Sequence, residues 1–202
     1  MEQTIYLIRH GETVFNTGGR YQGELDSPLT PDGIEQVENI ARLLKVIIDE
    51  PDEWEILSSP LGRTQQSTKI ICDILGYDIN KVITDNRLKE VSVGSWAGLT
   101  MQEIKASWPQ RMTNTNHYNW YFRSPDGESY EAVVKRVSEW LESIKNKKKI
   151  IAVSHGLTGR IIRGVYGKLQ TDQTLSLEVS QTTFYKLANH KIERFCCEYE
   201  EF

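Results

Sequence analysis

Apolar positions along the chain follow two patterns. Unbroken short runs, Ile5-Tyr6-Leu7-Ile8 and Ile150-Ile151-Ala152-Val153, predict strands buried on both faces. Glu55-Ile56-Leu57-Ser58-Ser59 predicts a shorter second strand, and residues 81–84 a third. Between the strands, apolar side chains recur with helical spacing. Ile34, Val37, Ile40, Ala41, Leu44, Ile47 and Ile48 form one such face; Tyr130, Val133, Val137, Trp140 and Ile144 form another. Leu157, Ile161, Ile162 and Val165 form a third directly after the 150–153 run. Near the end, residues 182–187 and 191–197 alternate and flank Ala188-Asn189-His190, which predicts a hairpin.

Local signals refine the boundaries. Thr30 is a suitable N-cap with Pro31 at the first helical position. Ser59-Pro60 offers the same start for a helix carrying Arg63, Thr64, Ile71 and Leu75, with Gly76 as its C-terminal stop. A short helix is expected over 101–108 and a longer one over 128–144. Residues 86–98 read as an ordered loop, and 107–126 as an irregular aromatic segment. The acidic stretch 49–53 is expected to be solvated. The basic run Lys145-Asn146-Lys147-Lys148-Lys149 suits a helix C-terminus better than a nucleic-acid patch. Strands and helices alternate. The expected fold is therefore α/β, a three-layer α/β/α sandwich with a mostly parallel central sheet and a C-terminal antiparallel hairpin, forming one domain over 1–202.

Composition narrows the function classes. Hydrophobic residues are 39% and charged residues 26% of the 202, which fits a folded chain rather than a disordered one. A net charge of −4 argues against a broad nucleic-acid surface, yet leaves room for a few arginines to hold a small anion. Met1-Glu2-Gln3-Thr4 has no basic segment, the apolar run after it is too short for a signal-peptide core, and no stretch is long enough to span a membrane. Cys72, Cys196 and Cys197 give neither a disulfide framework nor a zinc spacing, and core filling is expected for all three. A cytosolic protein without nucleic-acid or membrane partners is expected. Its oligomeric state is open, since Phe195 and Phe202 suit either a subunit contact or internal packing.

The candidate chemistry sits at strand ends. The chain has four histidines, and two of them, His10 and His155, each close an apolar run and precede a glycine. In a parallel sheet these two ends can be neighbours, at the carboxyl edge where open α/β sheets bind ligands. Arg9 adjoins His10, and Arg63 falls in the first turn of the next helix. Arginines and helix N-termini in one crevice favour an anion, phosphate above all. The chain lacks a GxxxxGK[ST] loop, a GxGxxG fingerprint and an HExxH or acidic cluster. What remains is phosphoryl transfer on a histidine nucleophile with no metal and no cofactor, the neighbouring arginines keeping the imidazole neutral.

These residues resemble the histidine phosphatase superfamily, the phosphoglycerate mutase-like group. The resemblance rests on RHGET at 9–13, Asn16, GRYQG at 19–23, DSPLT at 26–30, SSPLGRT at 58–64, Glu90 with GSWAG at 94–98, PDGES at 125–129 and SHG at 154–156. It implies that His10 becomes phosphohistidine, its second nitrogen held by a backbone carbonyl. Arg9, Arg63 and His155 would grip the phosphoryl oxygens, with Asn16, Gln22, Gly23 and Gly156 at the phosphate site. Glu90 would be the general acid and then the general base, which implies a bell-shaped or acid-leaning pH profile. The mutase pattern E-R-H-Y-G-x-L-x-G is not matched at 90–98, and the GRYQG stretch is similar to small bacterial phosphatases. The resemblance therefore implies a metal-independent phosphomonoesterase acting on a small phosphorylated metabolite. A cofactor-dependent phosphoglycerate mutase and a non-catalytic phosphate-ligand sensor are the alternatives. Residues 107–126, with Arg111, His117, Tyr118, Trp120, Tyr121 and Arg123, would cover the pocket mouth and set specificity.

Overall fold

Ile5, Leu7 and their alternates Tyr6 and Ile8 are all buried, because the strand that carries them, β1 (Thr4–Arg9), runs inside a sheet covered on both faces. In this computed structural model, which describes residues 3–113, 115 and 119–197, the further elements follow in chain order. They are α1 (Val14–Thr17), α2 (Pro31–Ile47), β2 (Glu55–Ser58), α3 (Gly62–Leu75), β3 (Ile83–Thr84), α4 (Met101–Ser107), α5 (Tyr130–Ser143), β4 (Lys149–Ser154), α6 (Gly156–Tyr166), α7 (Thr171–Ser176), β5 (Thr183–Ala188) and β6 (Lys191–Cys196). The sheet order is β3-β2-β4-β1-β5-β6. Strands β3, β2, β4 and β1 are parallel, while β5 runs antiparallel to β1 and β6 to β5. This is the three-layer α/β architecture with a mostly parallel sheet that the pattern predicts.

Alternation along the strands divides the core. Ile5, Leu7, Leu57, Ile150 and Ala152 face α5 and α6 through Val133, Val137, Trp140, Ile161 and Ile162. Tyr6, Ile8, Ile56, Ile151 and Val153 face α2 and α3 through Val37, Ile40, Leu44, Ile71 and Leu75. Each fully buried aliphatic side chain contributes roughly 1.5–3 kcal/mol by leaving water. A smaller cluster, Val93, Trp96, Ile104 and Trp120, holds the 90–98 loop to α4 and the aromatic segment.

Several boundaries differ from the sequence reading. Helix α3 starts at Gly62 rather than Pro60, since Asp26 from a distant loop supplies the acceptor for the Gly62 N–H at 2.5 Å. Residues 79–81 form a 3-10 turn under an Asp78 cap, so the edge strand β3 shrinks to Ile83–Thr84. Helix α5 starts at Tyr130 because Ser129 caps it. The short helices α1 and α7 escape the periodicity, being barely more than a turn each. The acidic stretch is exposed as expected, and its carboxylates make surface pairs: Glu53 with Lys149, Asp52 with Lys81, and nearby Glu55 with Lys147. The basic run thus meets carboxylates on both sides rather than a helix end alone. Of the cysteines, Cys72 is buried as expected, Cys197 is half-buried and Cys196 is exposed on the edge strand. Phe195 packs internally, stacked on Phe184 at 5.0 Å, and Phe202, His117 and Tyr118 lie outside the described residues. No helix among the described residues is long and apolar enough to cross a membrane.

One contact locks the start of α2 against the turn after β1. A methyl group on Gly33 would lie 2.0 Å from the carbonyl oxygen of Glu12, and one on Gly11 would lie 2.1 Å from that of Gly33. Backbone on both sides leaves nothing flexible to move. Gly33→Ala is expected to lower the urea midpoint by an amount equivalent to about 1–3 kcal/mol. Gly18→Ala, where the new methyl would sit 3.5 Å from the Val14 carbonyl, is expected to leave it nearly unchanged.

Candidate active site

Pairing of β1 with β4 brings the two His-Gly turns together. Arg9 lies opposite Ser154 in the ladder, and the His10 N–H donates to the Ser154 carbonyl at 3.1 Å. The His10 and His155 rings end up 5.2 Å apart, edge to face. They open beside a cavity of about 230 Å³ at the carboxyl end of the parallel strands. Arg9, His10, Arg63 and Glu90 line it, as do Asn16, Gln22, Gly23 and Gly156. Of the nine residues selected from the sequence, only His155 is not in the wall. It sits behind, 1% exposed, against the His10 ring.

His10 is held at both nitrogens. Its Nδ1–H donates to the Gly11 carbonyl at 2.7 Å, which fixes the tautomer and leaves the lone pair on Nε2. That lone pair accepts from Arg63 Nε at 3.3 Å. Burial, then the charges of Arg9 and Arg63, push His10 well below the usual histidine range, against the small opposing pull of the Gly11 carbonyl. Burial does the same to His155, followed by Arg63.

Arg63 is 1% exposed, and most of its N–H groups are engaged. It donates to the Leu25 and Gly23 carbonyls, each at 2.8 Å, and to the Asp26 carboxylate at 2.9 Å. Asp26 also accepts from the first N–H groups of α3, so one carboxylate caps the helix and neutralises the arginine. Gly23, at φ +53, turns the chain so that its carbonyl reaches Arg63. The Asn16 side-chain oxygen accepts from the Thr13 N–H, the Thr13 hydroxyl and Gln181, an arrangement that leaves its amide donors for the cavity. Gln22 uses its amide on Thr13 and Ser27 and so shapes the wall from behind. Arg9 donates to the Val179 carbonyl at 3.2 Å, while its Nε is buried with no partner among the described residues. A methyl group on Gly156 would lie 3.3 Å from that Nε, so the glycine lets the guanidinium lie against the start of α6.

Glu90 sits at the same helix start. Its carboxylate accepts from the N–H groups of Leu157 at 3.2 Å and Thr158 at 3.0 Å and from the Val91 N–H, while the Thr158 hydroxyl donates to the neighbouring Lys89 carbonyl at 2.7 Å. These helix-end donors have no partner inside α6. The loop carrying Glu90 is clamped by residues 124–128: Asp126 accepts from Ser95, and Glu128 accepts from the Ser92 N–H and from Arg136. The PDGES stretch thus holds the acidic loop in place.

Three wall or support residues were missed from the sequence. Arg160 lies one helical turn beyond Gly156, lines the cavity and bonds to Tyr121, and no carboxylate pairs with it among the described residues. The i, i+4 spacing from Gly156 could have marked it. Asp26 and Ser59 fall within the DSPLT and SSPLGRT stretches but were given no role at the site, since each acts through partners far away in sequence. Within 107–126, Tyr121 reaches the wall, and Trp120 is buried beneath it. Arg111 and Arg123 are not in the wall; Arg111 reaches toward the Arg123 carbonyl instead. No group of three or more histidine, cysteine, aspartate or glutamate side chains suited to a metal occurs among the described residues.

The two depressed histidines tie stability to pH. Above about pH 6.5 they are neutral in both folded and unfolded chains and contribute nothing. As pH falls through that value, the unfolded chain takes up protons that the folded chain refuses, so stability is lost on acidification. By pH 5.5 each histidine is expected to withdraw up to about 1.4 kcal/mol. Urea midpoints of the wild type and of a His10→Gln/His155→Gln double variant, compared at pH 7.5 and 5.5, check this. The variant should lose less, and equal losses would refute it.

With this geometry, comparison with known proteins is direct. The sequence model of the histidine phosphatase superfamily, branch 1, matches residues 5–196. A Yersinia pestis protein named "Probable phosphoglycerate mutase GpmB" is 35% identical over 159 residues, which cover 76% of this chain and 69% of that one. Among solved structures, Bacillus stearothermophilus YhfR aligns with a TM-score of 0.79 at 24% identity over 96% of both chains. The α-ribazole phosphatase of Shigella flexneri aligns at 0.76 and 21% identity, over 96% of this chain and 95% of that one. The mycobacterial glucosyl-3-phosphoglycerate phosphatase aligns at 0.75 and 24% identity over 98% of each. Sequence and fold agree: the chain belongs to the histidine phosphatase superfamily, branch 1.

Proposed function

We propose that the protein is a metal-independent phosphomonoesterase that works through phosphohistidine on His10. The observation that carries this is the His10 ring itself. Its Nδ1–H is fixed on the Gly11 carbonyl, and its Nε2 lone pair faces Arg63 at the cavity wall. In the first step the Nε2 lone pair attacks phosphorus, the P–O bond to the leaving alkoxide breaks, and Glu90 gives that oxygen a proton. In the second, water attacks phosphorus, Glu90 takes its proton, and the P–N bond breaks with its electrons returning to Nε2. Arg9, the Asn16 amide and His155 stabilise the phosphoryl oxygens as charge shifts. Arg63 supports the ring and adds charge.

The rest of the wall describes the alcohol. Tyr21, Tyr121, Val91, Val93 and Leu157 supply apolar surface, and Arg160 supplies a cation beyond the phosphate cradle. The cavity volume fits a small metabolite. The names of the Shigella and mycobacterial relatives support hydrolysis. The Yersinia relative's name favours a second reading, transfer of the phosphate between positions of phosphoglycerate. A pool of 3-phosphoglycerate, primed with a bisphosphate and followed for isomerisation against phosphate release, separates the two.

Phosphate release from a panel of small monoesters in EDTA is expected for the wild type and absent in His10→Ala; no release from any ester by a folded wild type would overturn the phosphatase reading. Glu90→Gln should cost about 10²–10⁴-fold in kcat on alkyl phosphates. The cost should be much smaller on p-nitrophenyl phosphate, whose leaving oxygen needs no proton. Equal losses on both would remove Glu90 as the acid. Arg160→Gln should raise KM for esters carrying a second anionic group and spare those without one.

A further inference from the structure

Ser59 has no place in the reaction steps above, yet its hydroxyl is wholly buried and lies 2.8 Å from His155 Nε2. It follows β2 directly, its N–H bonded to the Val153 carbonyl of the neighbouring β4, so its position is set by the sheet. The same hydroxyl oxygen accepts from the Leu61 N–H at 3.3 Å. The other ring nitrogen of His155, Nδ1, is buried with no partner among the described residues.

These contacts constrain where the protons lie. His155 is neutral, so one ring nitrogen carries a hydrogen and the other a lone pair. Suppose Nε2 carried it. Ser59 would then accept both from His155 and from Leu61, its own buried O–H would have no acceptor within reach among the described residues, and Nδ1 would hold an unused lone pair. Two buried groups would be unsatisfied. If instead the Ser59 O–H donates to Nε2, the hydroxyl donates once and accepts once. Only the Nδ1–H then lacks a partner. A buried unsatisfied polar group costs roughly 1–3 kcal/mol, so the second arrangement is the more stable.

We propose that the Ser59 hydroxyl donates to His155 Nε2 and thereby holds the ring as its Nδ1–H tautomer, a donor kept ready beside His10. Ser59 is a positioning residue: it touches no substrate and acts through His155. The tautomer follows from the hydrogen-bond geometry around a neutral ring and does not depend on the reaction. Its use, donation to a phosphoryl oxygen, rests on the phosphatase reading. Arg9 Nε, near the start of α6, is a second buried donor without a partner among the described residues. A phosphoryl group carried on His10 would bring an acceptor beside the His155 ring. His10 and His155 therefore carry the same tautomer for different reasons, one set by a carbonyl that accepts from Nδ1 and the other by a hydroxyl that donates to Nε2.

Nitrogen-15 NMR of the imidazoles in the full chain at pH 7.5 reads this directly, with His155 assigned by a His155→Gln sample. The expected spectrum shows His155 Nδ1 protonated and Nε2 bare. In Ser59→Ala the signals should move toward the Nε2–H form, and in Ser59→Thr, which keeps the hydroxyl, they should stay. Turnover of a small monoester should follow the tautomer. Ser59→Ala should lose about tenfold or more in kcat with KM within about threefold, and Ser59→Thr should recover most of it. A wild-type spectrum with Nε2 protonated overturns the proposal, and this outcome is readable even if Ser59→Ala does not fold. An unchanged tautomer in Ser59→Ala overturns it too, and a changed tautomer with unchanged kcat overturns the role in transfer. Should the wild type hydrolyse no ester, the phosphatase reading fails while the spectrum still decides the tautomer.

Discussion

The parallel pairing of β1 with β4 is the constraint on which the site depends. It sets Arg9 beside Ser154 and so puts two His-Gly turns, far apart in sequence, at adjacent strand ends. A slip of one residue would turn every side chain of β1 to the opposite face. The burial of Ile5 and Leu7 toward α5 and α6, and of Tyr6 and Ile8 toward α2 and α3, prevents that slip. Core packing and catalytic geometry are therefore enforced by the same alternation.

Around that pairing, arginines are positioned mainly by carbonyl groups. Arg63 is tied to the Gly23 and Leu25 carbonyls and to Asp26. Three consecutive carbonyls, those of Leu177, Glu178 and Val179, accept from Arg160, Arg163 and Arg9 respectively. Arg163 also lies over the Tyr185 ring at 3.9 Å. A planar guanidinium with several donors suits this work, since some donors can anchor it while others stay directed at a ligand. Cations fixed in this way need little reorganisation when an anion arrives. Burial, seconded by the charges of Arg9 and Arg63, holds both histidines neutral beforehand.

The acidic loop is positioned by different means. Glu90 is bonded to the start of α6, and residues 92–95 are clamped by Asp126 and Glu128, the latter braced by Arg136. Trp96 and Trp120 stack beneath the mouth of the cavity and bring Tyr121 to its wall. On the proposed reading, the side facing the alcohol is made largely of loops packed on a small aromatic cluster, joined by Leu157 and Arg160 of α6, whereas the phosphate side is made of strand ends and helix starts. Specificity can vary on the first without disturbing chemistry on the second.

Much of this was legible in the sequence, and the reason is local. The apolar runs at 5–8 and 150–153, the helical faces of α2, α5 and α6, and the His-Gly punctuation at strand ends express short-range rules of periodicity and turn geometry. They determined the layers, the parallel sheet and the candidates Arg9, His10, Arg63 and His155. What only the tertiary structure decided are partnerships across long sequence gaps. Asp26 starts α3 and neutralises Arg63 from 37 residues away, and Ser59 reaches His155 across 96. Arg160 joins the wall while Arg111 and Arg123 stay out of it. Such contacts leave no periodic trace, because a hydrogen bond between two loops depends on where the whole core places them, and that placement is a property of the packed chain rather than of either segment.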